Sequence, residues 1–100
     1  MITIRELLTA NGYEQDLQNI SETILNKKVN STNVRRTGTL KWDLFDGFEL
    51  TDENDPFIYT INLEENEFSK FCIQYLDDEG YNCSEEGYDE DLNLLYSVDV

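Results

Sequence analysis

Apolar residues first gather at Ile4, Leu7 and Leu8, directly behind Thr3-Ile4-Arg5-Glu6. Thr followed three residues later by Glu is a capping box, so a short helix is expected to start here. Gly12 is suited to end it in the left-handed conformation. Tyr13, Leu17, Ile20 and Ile24 then recur at helical spacing and predict a second helix with one buried stripe. Lys27 and Lys28 would close it, where cations suit the helix dipole.

From Val29 to Thr37 the chain is polar and reads as a connector. Leu40, Trp42 and Leu44 then alternate before Asp46-Gly47, the mark of a β-hairpin. A three-residue turn, Phe45-Asp46-Gly47, would pair Leu44 with Phe48 and Trp42 with Leu50 on one apolar face. Phe57, Tyr59, Ile61 and Leu63 alternate with Ile58, Thr60 and Asn62, a further strand. Behind Asn66, a plausible N-cap, Phe68, Phe71, Cys72, Tyr75 and Leu76 fall at i, i+3, i+4, i+7 and i+8. That spacing predicts a third helix, closed by Gly80. A short strand over Tyr81–Ser84, an acidic loop over Glu85–Asp91 and a last strand from Leu92 complete the chain. The expectation is one α+β domain over residues 1–100: a small antiparallel sheet with about three helices, in the order ααβββαββ.

Charge changes this picture. The chain has 100 residues and a formal net charge of −15. A domain of this size ordinarily carries a net charge of magnitude about 2 to 8. Residues 1–42 contain only Glu6, Glu14, Asp16 and Glu22 of the 22 acids, against Arg5, Lys27, Lys28, Arg35, Arg36 and Lys41. Residues 43–100 hold all the other acids and one base, Lys70. Crowded like charges destabilise a compact state, so added salt is expected to stabilise the fold. Carboxylates crowded in this way would have raised pKa values, and stability would then increase as pH falls.

The chemistry is defined largely by what is missing. Without histidine, Ser-His-Asp and Cys-His nucleophile systems are excluded. Cys72 and Cys83 are too few for a secreted disulfide framework and, without histidine, make no zinc pattern; Cys72 reads as a buried thiol, and a Cys72–Cys83 bridge needs the following strand to pack back on the third helix. No glycine-rich phosphate loop occurs. Asp89 to Asn93 begins like a calcium-binding loop but has Leu94 and Val100 where Gly and Glu are needed. The expectation is a non-enzyme without cofactor or metal, cytoplasmic and with reduced thiols. Its charge disfavours direct contact with nucleic acid or an anionic membrane. Trp42 and most tyrosines read as core residues, whereas Tyr88, set among acids, suits either an exposed contact anchor or a residue that packs its loop.

Four acidic clusters stand out: Asp52-Glu53-Asn54-Asp55, Glu64-Glu65-Asn66-Glu67, Asp77-Asp78-Glu79 and Glu85-Glu86-Gly87-Tyr88-Asp89-Glu90-Asp91. Same-face residues of a strand lie about 6.8 Å apart, close to two steps of the about 3.4 Å rise of one DNA strand. In size, charge and lack of catalytic residues the chain resembles the small acidic DNA-mimic inhibitors of phages and mobile elements. These include anti-restriction proteins, anti-CRISPR proteins and inhibitors of uracil-DNA glycosylase. The resemblance implies a protein that blocks the basic groove of a CRISPR effector, nuclease or restriction enzyme, in the host cytoplasm if phage-encoded. Asp52, Glu53, Asp55, Glu64, Glu65, Glu67, Asp77, Asp78, Glu79, Glu85, Glu86, Tyr88, Asp89, Glu90 and Asp91 would form the contact surface. The alternative is an immunity protein or antitoxin that neutralises a basic nuclease toxin. Arg35 and Arg36 would either touch the target or pair with the protein's own acids.

Overall fold

A computed structural model describes the whole chain, residues 1–100. The N-terminal third is a string of short elements: β1 (Ile2–Thr3), α1 (Ile4–Ala10), a 3-10 helix (Glu14–Asn19), α2 (Glu22–Leu25) and β2 (Lys28–Val29). Six strands follow: β3 (Asn33–Thr37), β4 (Gly47–Thr51), β5 (Phe57–Asn62), β6 (Phe71–Leu76), β7 (Asn82–Tyr88) and β8 (Leu94–Asp99). They form an antiparallel meander in which every strand pairs only with its sequence neighbours. The small β1–β2 pair stands apart from it.

The capping box forms as expected. Thr3 Oγ1 accepts from the Glu6 N–H at 3.1 Å and the Glu6 carboxylate accepts from the Thr3 N–H at 3.1 Å. The second helix breaks in two, because Ser21 turns its hydroxyl to accept from Ile24 N and starts a new helix there. Lys27 and Lys28 fall beyond it, with Lys28 paired to Thr3 in β2.

Two larger elements differ from the sequence reading. Residues 33–37 are strand β3, which pairs Arg36 with Phe48 and Val34 with Leu50. The expected hairpin partner, Leu40 to Leu44, is instead part of an irregular loop over residues 38–46. The arginines tolerate a strand because each meets carboxylates: Arg35 pairs with Asp43 and Glu49, Arg36 with Asp16 and Asp46. The Arg36 guanidinium also lies 5.2 Å over the Phe48 ring.

The expected third helix is strand β6. Phe71, Ile73 and Tyr75 face one way, opposite Ile61, Tyr59 and Phe57 of β5. A helix would have put Ile73 on the polar side, whereas the strand packs it against the core. The order ααβββαββ is therefore replaced by short helices followed by an uninterrupted sheet. Gly80 occupies the β6–β7 turn at φ +87° and ends no helix.

One face of the sheet carries Phe48, Leu50, Ile61 and Phe71, all buried, and the N-terminal segment covers it with Ile4, Leu7, Leu8, Ile20, Ile24, Leu25 and Val29. Tyr13 meets Phe48 edge-on at 5.1 Å, and Lys27 Nζ lies 5.9 Å over Phe71. Only 15 of the 100 residues are buried, so each large core side chain supplies a large fraction of the stability. No helix is long and apolar enough to cross a membrane.

Candidate interaction surface

The meander sends its turns alternately to two ends, and the acids follow the turns. One end carries the loops over 38–46, 63–70 and 89–93, with Glu64, Glu65, Glu67, Asp89, Glu90 and Asp91. At the other end the turns over 52–56 and 77–81 hold Asp52, Glu53, Asp55, Asp77, Asp78 and Glu79, with no lysine or arginine in either turn. Strands of about six residues at about 3.4 Å per residue set the two rims about 20 Å apart. The carboxylates thus form two rims, and a ladder of acids running along strands is not what the fold builds.

Glu85, Glu86 and Tyr88 correct the sequence reading most clearly. All three lie in β7, and the loop is confined to residues 89–93. Glu85 sits on the outer face, where its carboxylate accepts from Gln74 Nε2 at 3.0 Å and from the Tyr96 hydroxyl at 2.6 Å. That hydroxyl stands 3.6 Å from Cys72 Sγ. Glu86 sits on the helix-side face and accepts from the Tyr75 hydroxyl at 2.7 Å. Tyr88 is half-buried, 6.1 Å from Phe71, and so packs against the core instead of serving as an exposed anchor. The converse holds for Trp42, which is 77% exposed, and for Leu44 at 97%.

Within the rims, the first acid of a turn ties its own backbone. Asp52 accepts from Asn54 N and from Thr32 Oγ1, Asp77 from Glu79 N and Tyr81 N, and Asp89 from Asp91 N and Asn93 N. These are Asx turns, a local role for a short carboxylate. Glu64 accepts from Asp46 N at 3.2 Å and joins two loops of the same rim. Glu53, Glu65, Glu67, Asp78, Glu79, Glu90 and Asp91 are exposed.

None of the carboxylates of the four acidic clusters is paired with a base. The ion pairs of the protein are Arg5–Glu22, Arg35 with Asp43 and Glu49, and Arg36 with Asp16 and Asp46. Lys70 lies beside Glu64 and Glu65 but donates to their main-chain carbonyls, at 2.6 and 3.3 Å. Arg35 and Arg36 are thus occupied by acids outside the four clusters, among them Asp43 and Asp46 of the 38–46 loop, and the cluster carboxylates have no ion-pair partner, although Lys41 and Lys70 lie in the same rim as Glu64, Glu65 and Glu67. Cys72 and Cys83 are both free.

Hydrogen bonds also set the pH response. The Leu40, Asn54 and Asn93 backbone N–H groups hold Asp43, Asp52 and Asp89, respectively, below the usual carboxylate range, and Thr3 does the same for Glu6. A depressed folded pKa contributes stability above the unfolded value of about 4, and that stability is lost as pH falls through the folded value. For these four groups the expected gain in acid is reversed.

On the alkaline side the Glu86 hydrogen bond pushes Tyr75 up to about 12. Burial pushes up Tyr59, Tyr88 and Tyr96, with added contributions from Asp55, Glu86 and Glu85 in turn. Tyrosine in an unfolded chain titrates near pH about 10. A raised folded value gives stability that is complete below the unfolded pKa and lost as pH rises through the folded one. The melting temperature is therefore expected to drop between pH about 10 and about 12, in step with phenolate absorbance. Tyr75→Phe should make that drop smaller, and an unchanged alkaline profile in this variant would contradict the Tyr75–Glu86 bond.

The chain matches no family model, no curated protein sequence and no solved structure.

Proposed function

We propose that this protein inhibits a nucleic-acid-binding enzyme by presenting carboxylates to its basic groove in place of phosphates. On this reading it acts by binding and not by catalysis, as the DNA-mimic inhibitors it resembles do. The observation that carries the proposal is the absence of any ion-pair partner for the carboxylates of the four acidic clusters, although the chain spends its arginines on other acids. Self-repulsion on this scale costs stability in the free protein. A cationic groove would relieve it and would also draw the protein in at long range, raising the association rate steeply at low salt.

The test neutralises exposed acids that carry no structural hydrogen bond. One variant combines Glu65→Gln, Glu67→Gln, Glu90→Gln and Asp91→Asn on the rim that holds residues 63–70 and 89–93. A second combines Glu53→Gln, Asp78→Asn and Glu79→Gln on the other rim. The probes are a purified uracil-DNA glycosylase, a restriction endonuclease and an RNA-guided nuclease, each with and without bound nucleic acid. The parent should compete with nucleic acid for at least one of them. Neutralising the rim that faces the groove should slow association by about tenfold at low salt and by much less at high salt. Association at the parental rate in both variants, or equal affinity for the free and nucleic-acid-loaded enzyme, would sink the proposal.

A further inference from the structure

The loop over residues 38–46 exposes more apolar surface than a loop needs. Leu40 is 55% exposed, Trp42 77% and Leu44 97%, and Phe68 of the neighbouring loop is 72% exposed. Single exposed apolar residues are ordinary, but several together at one end of a small domain mark a contact surface.

This loop is held, not loose. The Asp43 side chain is only 5% exposed and fixes the turn from inside. Its Oδ2 accepts from the Gly38 and Leu40 N–H groups at 2.9 and 3.1 Å, and its Oδ1 accepts from Arg35 at 3.0 Å. Beyond Leu44, Asp46 pairs with Arg36, and the Asp46 carbonyl accepts from Leu63 N at 2.8 Å. With both flanks tied down, Trp42 and Leu44 are held pointing outward. A groove of about 550 Å³ runs beneath them over the outer face of the sheet, lined in part by Arg35, Phe45, Glu49 and Gln74. Pre-ordering matters because a loop whose backbone is already held in place loses less entropy on binding.

The loop carries Lys41 and lies over Arg35, but the acids beside it, Asp43, Asp46, Glu49, Glu64, Glu65 and Glu67, outnumber these bases and favour a basic surface as its partner. Asp46 and Glu64 stitch the loop to the acidic segment that carries Glu65 and Glu67. We infer that Trp42 and Leu44 are the apolar anchor of the inhibitory contact, docking into an apolar pocket at the edge of the partner's basic groove while the adjacent carboxylates occupy the groove. This rests on the mimic reading above and adds the element that provides residence time. Charge steers the encounter, whereas a desolvated aromatic anchor slows dissociation.

The test uses the same three enzymes, with poly-lysine as a basic probe that has no apolar pocket. For an enzyme that binds the parent, Trp42→Ser combined with Leu44→Ser should speed dissociation by about tenfold or more and leave association nearly unchanged. Poly-lysine binding should not change. Trp42 is the only tryptophan, so 5-fluorotryptophan labelling gives one fluorine resonance, which should shift on complex formation. Exposed positions make misfolding unexpected, and a melt at the parental temperature verifies it. If the double variant dissociates at the parental rate while the acidic-rim variants remain slow to associate, the anchor is overturned and the mimic reading stands. If sedimentation shows a parent dimer that the double variant loses, a second copy is the occupant and the inference fails. If no enzyme binds the parent, both fall together.

Discussion

Gly47→Ala is expected to abolish folding. Gly47 opens β4, pairs with Thr37 on one side and Asn62 on the other, and is buried. A Cβ built there would lie 1.8 Å from the Ile61 carbonyl oxygen and 3.0 Å from the Phe45 ring. The first of these atoms is backbone, so the only relief is to part β4 from β5 where Phe48 and Ile61 meet. A core clash of this kind costs more than about 4 kcal/mol, a large share of the about 5 to 15 kcal/mol that stabilises a small domain. Gly12→Ala is the control. Gly12 has φ +85° but open space around it, so the cost is only the left-handed penalty of about 1 to 2 kcal/mol. Urea unfolding of both variants measures the difference. A Gly47→Ala protein that melts within a few degrees of the parent would mean that β4 and β5 do not pair as described.

Phe71→Ala should be nearly as damaging, at about 3 to 5 kcal/mol. Phe71 is 1% exposed and lies at the centre of the core face, stacked on Tyr59 at 5.5 Å, beside Tyr88 and under Lys27. At about 4 to 8 °C per kcal/mol for a domain of this length, the melting temperature should fall by more than about 12 °C. Salt is expected to recover part of that loss by screening the repulsion between the acids. A fall of only a few degrees, or one that salt does not touch, would contradict the packing or the crowding of the rims, respectively.

The elements legible in the sequence were those decided locally. Thr3 and Glu6 satisfy one another within one turn of chain, and Phe57, Tyr59 and Ile61 alternate without ambiguity, so the first helix and β5 form where expected. Residues 71–76 fit two periods at once. Phe71, Cys72 and Tyr75 fit a helical stripe, while Phe71, Ile73 and Tyr75 fit a strand face. Ile73 was the discriminating residue, since only the strand gives it a buried side. β3 was hidden because Arg35-Arg36 looks like a connector until Asp16, Asp43, Asp46 and Glu49 are brought beside it by the fold. For the candidate interaction surface, the clustering of acids is legible in the sequence but their division between two rims is not. That division depends on where the chain turns, and the misread helix moved one of those turns. Trp42 reads as a core residue for the same reason: its alternation with Leu40 and Leu44 looks like a strand, and nothing local reveals that β3 already fills the partner position.

An open meander leaves two strand edges free, and this protein treats them differently. β3 carries Arg35 and Arg36, whereas β8, Leu94 to Asp99, has a single charge in Asp99. Unpaired backbone N–H and C=O groups along such an edge invite another chain to add on, and local charges are the common guard against it. Here the guard stands elsewhere. The rim acids at both ends of β8 are expected to repel neighbouring molecules before they approach in register, so the net charge would also protect the sheet against self-association. That protection holds only while the carboxylates are ionised. Near the sequence pI of about 4.1 the same edge is expected to become a site for assembly in place of a quiet boundary.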